Sequence, residues 1–283
     1  MIPAPFEYEV AGSVDEAIEL LGRHGEDAKL LAGGHSLLPL MKLRLARPSA
    51  LIDIGRIGDR SYVREDGDRI AIGALTRHHD VHHSPVLGQH CPLVSHTAGL
   101  IGDPQVRHMG TLGGTVAHGD PASDMPAVLA ALDADLVIQG PGGTRSVGAA
   151  DFFRGVFETD LGPQDVLTEI RVPKLAPGTG WSYQKFHRRA QDWAIVGVAA
   201  VVERSNGQIA GARIGLTNMG GTPLRARAVE QALVGAGPDT VPGAAQAAAE
   251  GTSPPSDTNA TGEFRRHLAT VLVRRAVEEA LAR

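Results

Sequence analysis

Two glycine-bearing segments carry the residue types best suited to hold a phosphorylated ligand. In Ala32-Gly33-Gly34-His35-Ser36 a glycine pair, an imidazole and a hydroxyl follow directly on the apolar run Lys29 to Ala32. Glycines where a strand becomes a helix let the backbone approach a ligand closely, and N–H groups left free there can donate to pyrophosphate oxygens. The alternative is a tight strand-to-helix turn with no ligand. The second segment, Gly110 to Asp124 (GTLGGTVAHGDPASD), brings glycines, two threonines and an acidic residue into what reads as one turn-rich stretch. Its alternative is a surface Ω-loop. Two such segments far apart in the chain favour one large bipartite ligand over a single phosphate. Neither is a Walker loop, since no Gly-Lys-Ser/Thr follows, and GxGxxG occurs nowhere.

Other reactive types lead to weaker chemistry. His78, His79, His82 and His83 form two i,i+4 pairs if residues 76–84 are helical, a spacing that can bind zinc, but no HExxH glutamate accompanies them. Solvated surface histidines are the competing reading, and no metal ligand is assigned. The lone Cys91 excludes an internal disulfide and any cysteine-held iron–sulfur cluster in this chain. It reads as a buried or half-buried thiol beside Pro92, because nothing marks a partnered base. Arg188-Arg189 suits either a carboxylate of a partner or a solvated surface. No nucleophile or acid–base pair stands out, so no catalytic residue is assigned.

The elements that must position these residues fall into two parts. Ser13-Val14-Asp15-Glu16 is a capping box, followed by Val14, Ala17, Ile18 and Leu21 at helical spacing and a stop at Gly22 or Gly25. Lys29 to Ala32 is a strand, Leu37 to Leu45 an apolar stretch taken as helix, and Leu51 to Ile54 a strand. Further strands are predicted at 69–75, 136–138 and 165–172, and helices from about Thr76, over Pro92 to Leu100 and over Met125 to Leu132. Strands and helices interleave throughout this part. After Pro173 the character changes. Residues 174–180 read as a linker, and Asn206-Gly207 between Ala194–Glu203 and Ile209–Thr217 is a strong hairpin signal. Residues 235–262 read as a partly helical, mobile connection. Phe264, Leu268, Val271, Leu272 and Val277 mark one face of a C-terminal helix.

Composition narrows the functional class. With 27 Lys+Arg against 32 Asp+Glu the net charge is −5, which gives no general attraction to nucleic acid or to an anionic membrane. Glycine supplies 35 of 283 residues, about 12% against a typical ~7%, so backbone geometry is under demand. The N-terminus lacks a basic n-region and an apolar h-region, and no apolar run approaches ~18 residues. The expectation is a soluble cytoplasmic protein.

LAGGHSLLPLMKLRLARPSALIDI (Leu31 to Ile54), IGDPQVRHMGTLGGTVAHGDPASDMPA (Ile101 to Ala127), QDWAIVGVAA (Gln191 to Ala200) and the C-terminal SDTNATGEFRRHLATVLVRRAVEEAL resemble one family. It is the FAD-binding medium subunit of aerobic carbon monoxide dehydrogenase and its xanthine dehydrogenase-type molybdenum-hydroxylase relatives. The resemblance implies an α+β chain: a two-subdomain α/β FAD-binding domain of PCMH type over 1–173 (subdomains about 1–55 and 56–173), then a domain of antiparallel strands and helices over 174–283. It places Lys29, Leu30, Leu31, Ala32, Gly33, Gly34, His35, Ser36 and Leu37 along the adenine and pyrophosphate end of FAD. Thr111, Gly113, Gly114, Thr115 and Asp124 would hold the rest of the pyrophosphate, the ribityl chain and the ribose, with Asp124 accepting from sugar hydroxyls. Ile101 would pack on the flavin, and Val166, Leu167 and Lys185 would lie beside the adenine or the flavin ring. Trp193 stands where the family commonly covers the isoalloxazine with tyrosine.

The implied partners are a small subunit with two [2Fe–2S] clusters and a large molybdopterin subunit, in a dimer of heterotrimers without nucleic acid. Electrons would pass from the clusters through FAD to an external acceptor. A membrane quinone is one such acceptor, with peripheral association at the inner face of the membrane. Competing readings are the FAD subunit of a xanthine, aldehyde or heteroaromatic dehydrogenase, a stand-alone flavin oxidase of the vanillyl-alcohol type, and a flavin-free assembly scaffold.

Overall fold

The computed structural model describes residues 2–283. The chain opens on a small parallel sheet, β1 (Glu7–Val10), β2 (Ala28–Leu31) and β3 (Ala50–Asp53), in the order β1–β3–β2. Helix α1 (Val14–His24) crosses from β1 to β2 and buries Val14, Ala17, Leu20 and Leu21. Its capping box forms with a shift: Ser13 Oγ accepts the Glu16 N–H at 3.1 Å, while the Glu16 carboxylate accepts from Gly12 N–H at 2.7 Å, one residue further back. Helix α2 (Leu37–Lys42) is shorter than the apolar stretch, and Leu43 and Leu45 beyond it are exposed.

The second sheet combines β4 (Val63–Asp66), β5 (Arg69–Gly73), β6 (Asp135–Gly140), β7 (Gly143–Gly148) and, after a small hairpin of β8 (Phe153–Gly155) and β9 (Glu158–Thr159), β10 (Val166–Pro173). Its order is β4–β5–β10–β6–β7, antiparallel throughout. Short helices α3 (His78–His82), α4 (Pro85–His90), α5 (Pro92–Gly99), α6 (Pro104–Met109), α7 (Leu112–His118), α8 (Asp124–Ala131) and α9 (Ala149–Phe152) accompany it. Ile70, Ile72, Leu136, Ile138 and Ile170 of the sheet share one core with Leu87, Leu93, Leu112, Met125 and Leu129 of the helices. The second glycine segment is therefore not a continuous loop. Thr111 caps α7 by accepting from Gly114 N–H at 3.1 Å, and only residues 119–123 separate α7 from α8. The histidine helix is likewise shorter than expected, with His83 at its C-cap.

The third sheet is an antiparallel meander of β11 (Gly180–Phe186), β12 (Val196–Ser205), β13 (Gln208–Thr217) and β14 (Leu224–Arg225). Asn206 and Gly207 join β12 to β13 with φ of +52° and +79°, the turn their types demand. The run VGVAAVV in β12 is buried on both faces. Ala199 and Val201 join the core of the second sheet, whereas Val198, Ala200 and Val202 face a separate core with α12 (Gly262–Ala282). Between these elements lie α10 (Arg227–Leu233) and α11 (Val241–Ala244). The 235–262 segment is tied down, with Val241, Ala245 and Ala248 buried in the α12 core.

Of the expected face of α12, Leu268, Leu272 and Val277 are buried and Val271 is half-buried, whereas Phe264 is exposed and Ala269, Val273, Ala276 and Ala280 complete the inward face. Apolar spacing missed the alanines, whose small side chains allow close helix-on-sheet packing. It also missed Arg265, which is 1% exposed and donates to the Ile195 carbonyl and, at 2.7 Å, to Asp257. Arg265→Ala removes these charged hydrogen bonds and leaves a void, so a loss on the order of 3 kcal/mol is expected in chemical denaturation. An unfolding midpoint equal to wild type would show that Arg265 does not anchor α12.

Candidate cofactor-binding site

The sheets meet around a cleft of about 1040 Å³. Lys29 through Leu37, Ile101, Thr111, Gly113, Gly114, Thr115, Asp124, Val166, Leu167, Lys185 and Trp193 all line it, so tertiary structure brings every candidate binding residue to one wall or another of a single space. The two glycine segments touch each other directly. A Cβ added to Gly33 would lie 2.2 Å from the Met109 carbonyl oxygen and 2.8 Å from Gly110 Cα. Gly33 thus lets the first subdomain meet the second, and close approach to a ligand falls to its neighbours.

The segments differ in what they leave free. The main-chain N–H groups of Gly33, Gly34, His35, Ser36 and Leu37 donate to no acceptor among the described residues. Gly34 turns through φ +73°, and consecutive N–H groups in such a turn form a concavity suited to anions. In α7, by contrast, Leu112 N–H donates to Thr76 O at 2.9 Å, Gly113 N–H to Ala74 O at 2.8 Å and Gly114 N–H to Thr111 Oγ1. Those donors are engaged by the protein. Toward the cleft this segment offers the Thr115 hydroxyl, while a Cβ added to Gly114 would lie only 2.8 Å from the capping Thr111 Oγ1.

His78, absent from the sequence-derived site, supports Thr115. Its Nε2 lies 2.9 Å from Thr115 Oγ1, and the ring is 2% exposed. Burial, with the nearby Arg107 charge, pushes its pKa down to about 4, so the imidazole is neutral at pH 7. The four histidines face different partners. His82 Nδ1 pairs with the Ser95 carbonyl at 2.9 Å, His83 Nδ1 with the His79 carbonyl at 2.8 Å, and the His79 ring stacks on His108. Among the described residues no group of three or more His, Cys, Asp or Glu is placed to hold a metal ion. Cys91 is fully buried, and burial pushes its thiol up to about 12. Arg188 and Arg189 are both exposed.

The far wall rests on a buried ion pair. Asp124 opens α8, and its Oδ2 accepts from Lys185 Nζ at 2.8 Å while Oδ1 accepts from Tyr183 hydroxyl at 2.7 Å. The two charged side chains are 5% and 4% exposed. Lys185 also donates to the Leu100 carbonyl at 3.1 Å. Burial raises the Asp124 pKa while the Lys185 charge draws it back, and burial beside this carboxylate raises Tyr183 well above the ordinary phenol. Both Asp124 oxygens are thus engaged inside the protein, and only their second lone pairs are left for a sugar hydroxyl. Tyr183 was not anticipated, although strand alternation in GWSYQKF puts it on the same face as Lys185. Trp193 stands at the rim, 69% exposed.

A mixed fold in which two glycine segments wall one dinucleotide-sized cleft defines a nucleotide-cofactor subunit. Residues 4–175 match the family described as the FAD binding domain in molybdopterin dehydrogenase, and residues 181–280 match the CO dehydrogenase flavoprotein C-terminal domain. The chain belongs to this family of FAD-binding medium subunits of oxidoreductase complexes. It is 45% identical over 285 residues to the carbon monoxide dehydrogenase medium chain of Hydrogenophaga pseudoflava, covering 100% of this chain and 99% of that one. It is 38% identical to the glyceraldehyde dehydrogenase medium chain of Sulfolobus acidocaldarius, with 99% of each covered. The solved carbon monoxide dehydrogenase from Hydrogenophaga pseudoflava that lacks the Mo-pyranopterin moiety superposes with a TM-score of 0.98 at 47% identity, covering 100% of this chain and 99% of that chain.

Two outcomes test this geometry. Folded His78 binds its proton less readily than a free imidazole, about 4 against 6.5, so unfolding takes up a proton between those values. This contribution is complete above about pH 6.5 and is lost as pH falls toward 4, by up to about 1.4 kcal/mol per unit. His78→Gln should flatten that acid slope in denaturation measured at a series of pH values, and an unchanged slope would show that the ring is not held neutral. Asp124→Ala strands a buried ammonium and should cost roughly 3–5 kcal/mol, part of which the double variant Asp124→Ala/Lys185→Met recovers. Equal losses in the single and double variants would contradict the pair.

Proposed function

We propose that this chain is the electron-transferring FAD subunit of a molybdenum hydroxylase whose substrate is carbon monoxide. The observation that carries the cofactor assignment is the row of five unengaged N–H groups, Gly33 to Leu37, set in the same cleft as Gly114 and the Thr115 hydroxyl. That donor set fits a pyrophosphate, and the same cleft is lined by the apolar side chains of Leu30, Val166, Ile101 and Trp193, which suit the rings of a dinucleotide. FAD, when bound, supplies one- and two-electron chemistry. The residues here bind and orient it. Gly33 to Leu37 donate to the pyrophosphate, Thr115 adds a hydroxyl held by His78, and Trp193 offers an exposed indole face for stacking. Lys185, neutralised by Asp124, places an ammonium in the cleft wall without leaving a net charge there.

The division into a FAD-binding domain over 1–173 and a further domain over 174–283 belongs to the same proposal. So do a small [2Fe–2S] subunit, a large molybdopterin subunit, assembly as a dimer of heterotrimers, a cytoplasmic site and a quinone acceptor at the inner membrane face. The single buried Cys91 supports placing the clusters in another polypeptide. The 38% identity to a glyceraldehyde dehydrogenase medium chain supports a second substrate reading, an aldehyde, because a subunit of this kind does not itself touch the substrate.

The purified chain should carry roughly one FAD, and Gly114→Val, which crowds the capping Thr111 hydroxyl and so displaces this part of the cleft wall, should lower FAD affinity at least about tenfold. Gly33→Val should do the same by parting the two segments. Full retention of FAD in both variants contradicts the clasp. Bound FAD should be reduced by carbon monoxide only when the iron–sulfur and molybdenum partners are present, as followed by bleaching of its visible absorption. Bleaching by carbon monoxide without partners would refute the electron-transfer role.

A further inference from the structure

The hairpin of β8 and β9 turns through two residues, Val156 and Phe157, with Gly155 paired to Glu158. Phe157, and not Val156, has positive φ, at +59°. At the second central position of such a turn this conformation is the province of glycine or asparagine, because a β-carbon carrying a ring crowds the backbone. The other non-glycine residues with positive φ among the described residues are Asn206, Asn218, Asp133 and Arg44, so Phe157 is the one aromatic side chain held in this conformation. A strained aromatic residue usually earns its place through packing or through a ligand. Core packing does not account for Phe157, which is 56% exposed. Its N–H donates to the Gly119 carbonyl at 3.2 Å and its ring lies 5.0 Å from that of His118, contacts that hold the turn against the end of α7. The ring lines the same cleft as the Gly33–Leu37 donors.

We propose that Phe157 is a cofactor-retaining residue, whose ring lies against FAD in the cleft and slows its departure. The inference rests on the reading of the cleft as the FAD site. The strained turn fixes the ring at the rim, so the contact is available without reordering the hairpin. The surface it offers is a flat apolar face, which suits the adenine or flavin ring rather than the pyrophosphate.

The test uses the full-length chain purified with FAD and the variants Phe157→Asn, Phe157→Ala and Phe157→Tyr. FAD release is followed by the rise in flavin fluorescence on dilution, and melting temperature is measured after FAD is removed. Phe157→Asn and Phe157→Ala should release FAD roughly tenfold faster, the scale of one lost aromatic stacking contact, and Phe157→Tyr should release it at the wild-type rate. Without FAD, Phe157→Asn should melt no lower than wild type, since asparagine tolerates the turn. Unchanged release from the Asn and Ala variants overturns the proposal, as does a Tyr variant as fast as Ala. A wild-type chain that holds no FAD would instead overturn the cleft reading on which the proposal stands.

Discussion

The pairing of Asp124 with Lys185 is the interaction on which the site depends. Two opposite charges lie 2.8 Å apart with almost no access to water, and either alone would be strongly destabilising. Asp124 sits in the first turn of α8, where a carboxylate is also favoured by the helix dipole, and every residue of that helix is buried. Lys185 and Tyr183 come from β11. The pair therefore locks the helical layer of the second subdomain to the C-terminal sheet, and the Lys185 bond to Leu100 extends the lock to the end of α5. The far wall of the cleft is the outer surface of this polar knot.

The near wall is made differently. Gly33 has no side chain because the Met109 carbonyl occupies the place of one, and this contact brings the small parallel sheet against the helices of the second subdomain. Once the segments touch, their roles separate. The donors of α7 are consumed by Ala74, Thr76 and Thr111, which makes that segment a rigid wall, and the donors after Gly33 remain free for a ligand. A cofactor held between a rigid wall and a free-donor loop can be oriented without catalytic side chains, as expected of a subunit that relays electrons. The alanines of α12 and the double-faced burial of β12 serve the same end by fixing the sheet that carries Lys185.

Much of this was legible in the sequence. The α1 capping box, the strand before Gly33, the Asn206-Gly207 hairpin and the apolar strands at 69–75 and 165–172 each rest on local chemistry that needs no partner. β1 is a four-residue edge strand whose alternating Glu7-Tyr8-Glu9-Val10 is too short to stand out and is largely exposed, and β7 is exposed and lacks a clear alternation. The second glycine segment looked like a loop because glycine disfavours helices in isolation. In the fold, packing against Ala74 and the Thr111 cap override that preference.

Motif and residue type alone singled out the two glycine segments that come to line one cleft, and the lone cysteine determined that no cysteine-held cluster could reside in the chain. Only the tertiary structure decided that Gly33 joins two subdomains, that Asp124 is first an ion-pair partner, and that His78 faces Thr115 in place of a metal. The physical reason is common to all three. A residue's hydrogen-bonding capacity is written in its type, but whether that capacity is used inside the protein or left for a ligand depends on neighbours far away in the chain, such as Lys185 for Asp124 and Thr115 for His78.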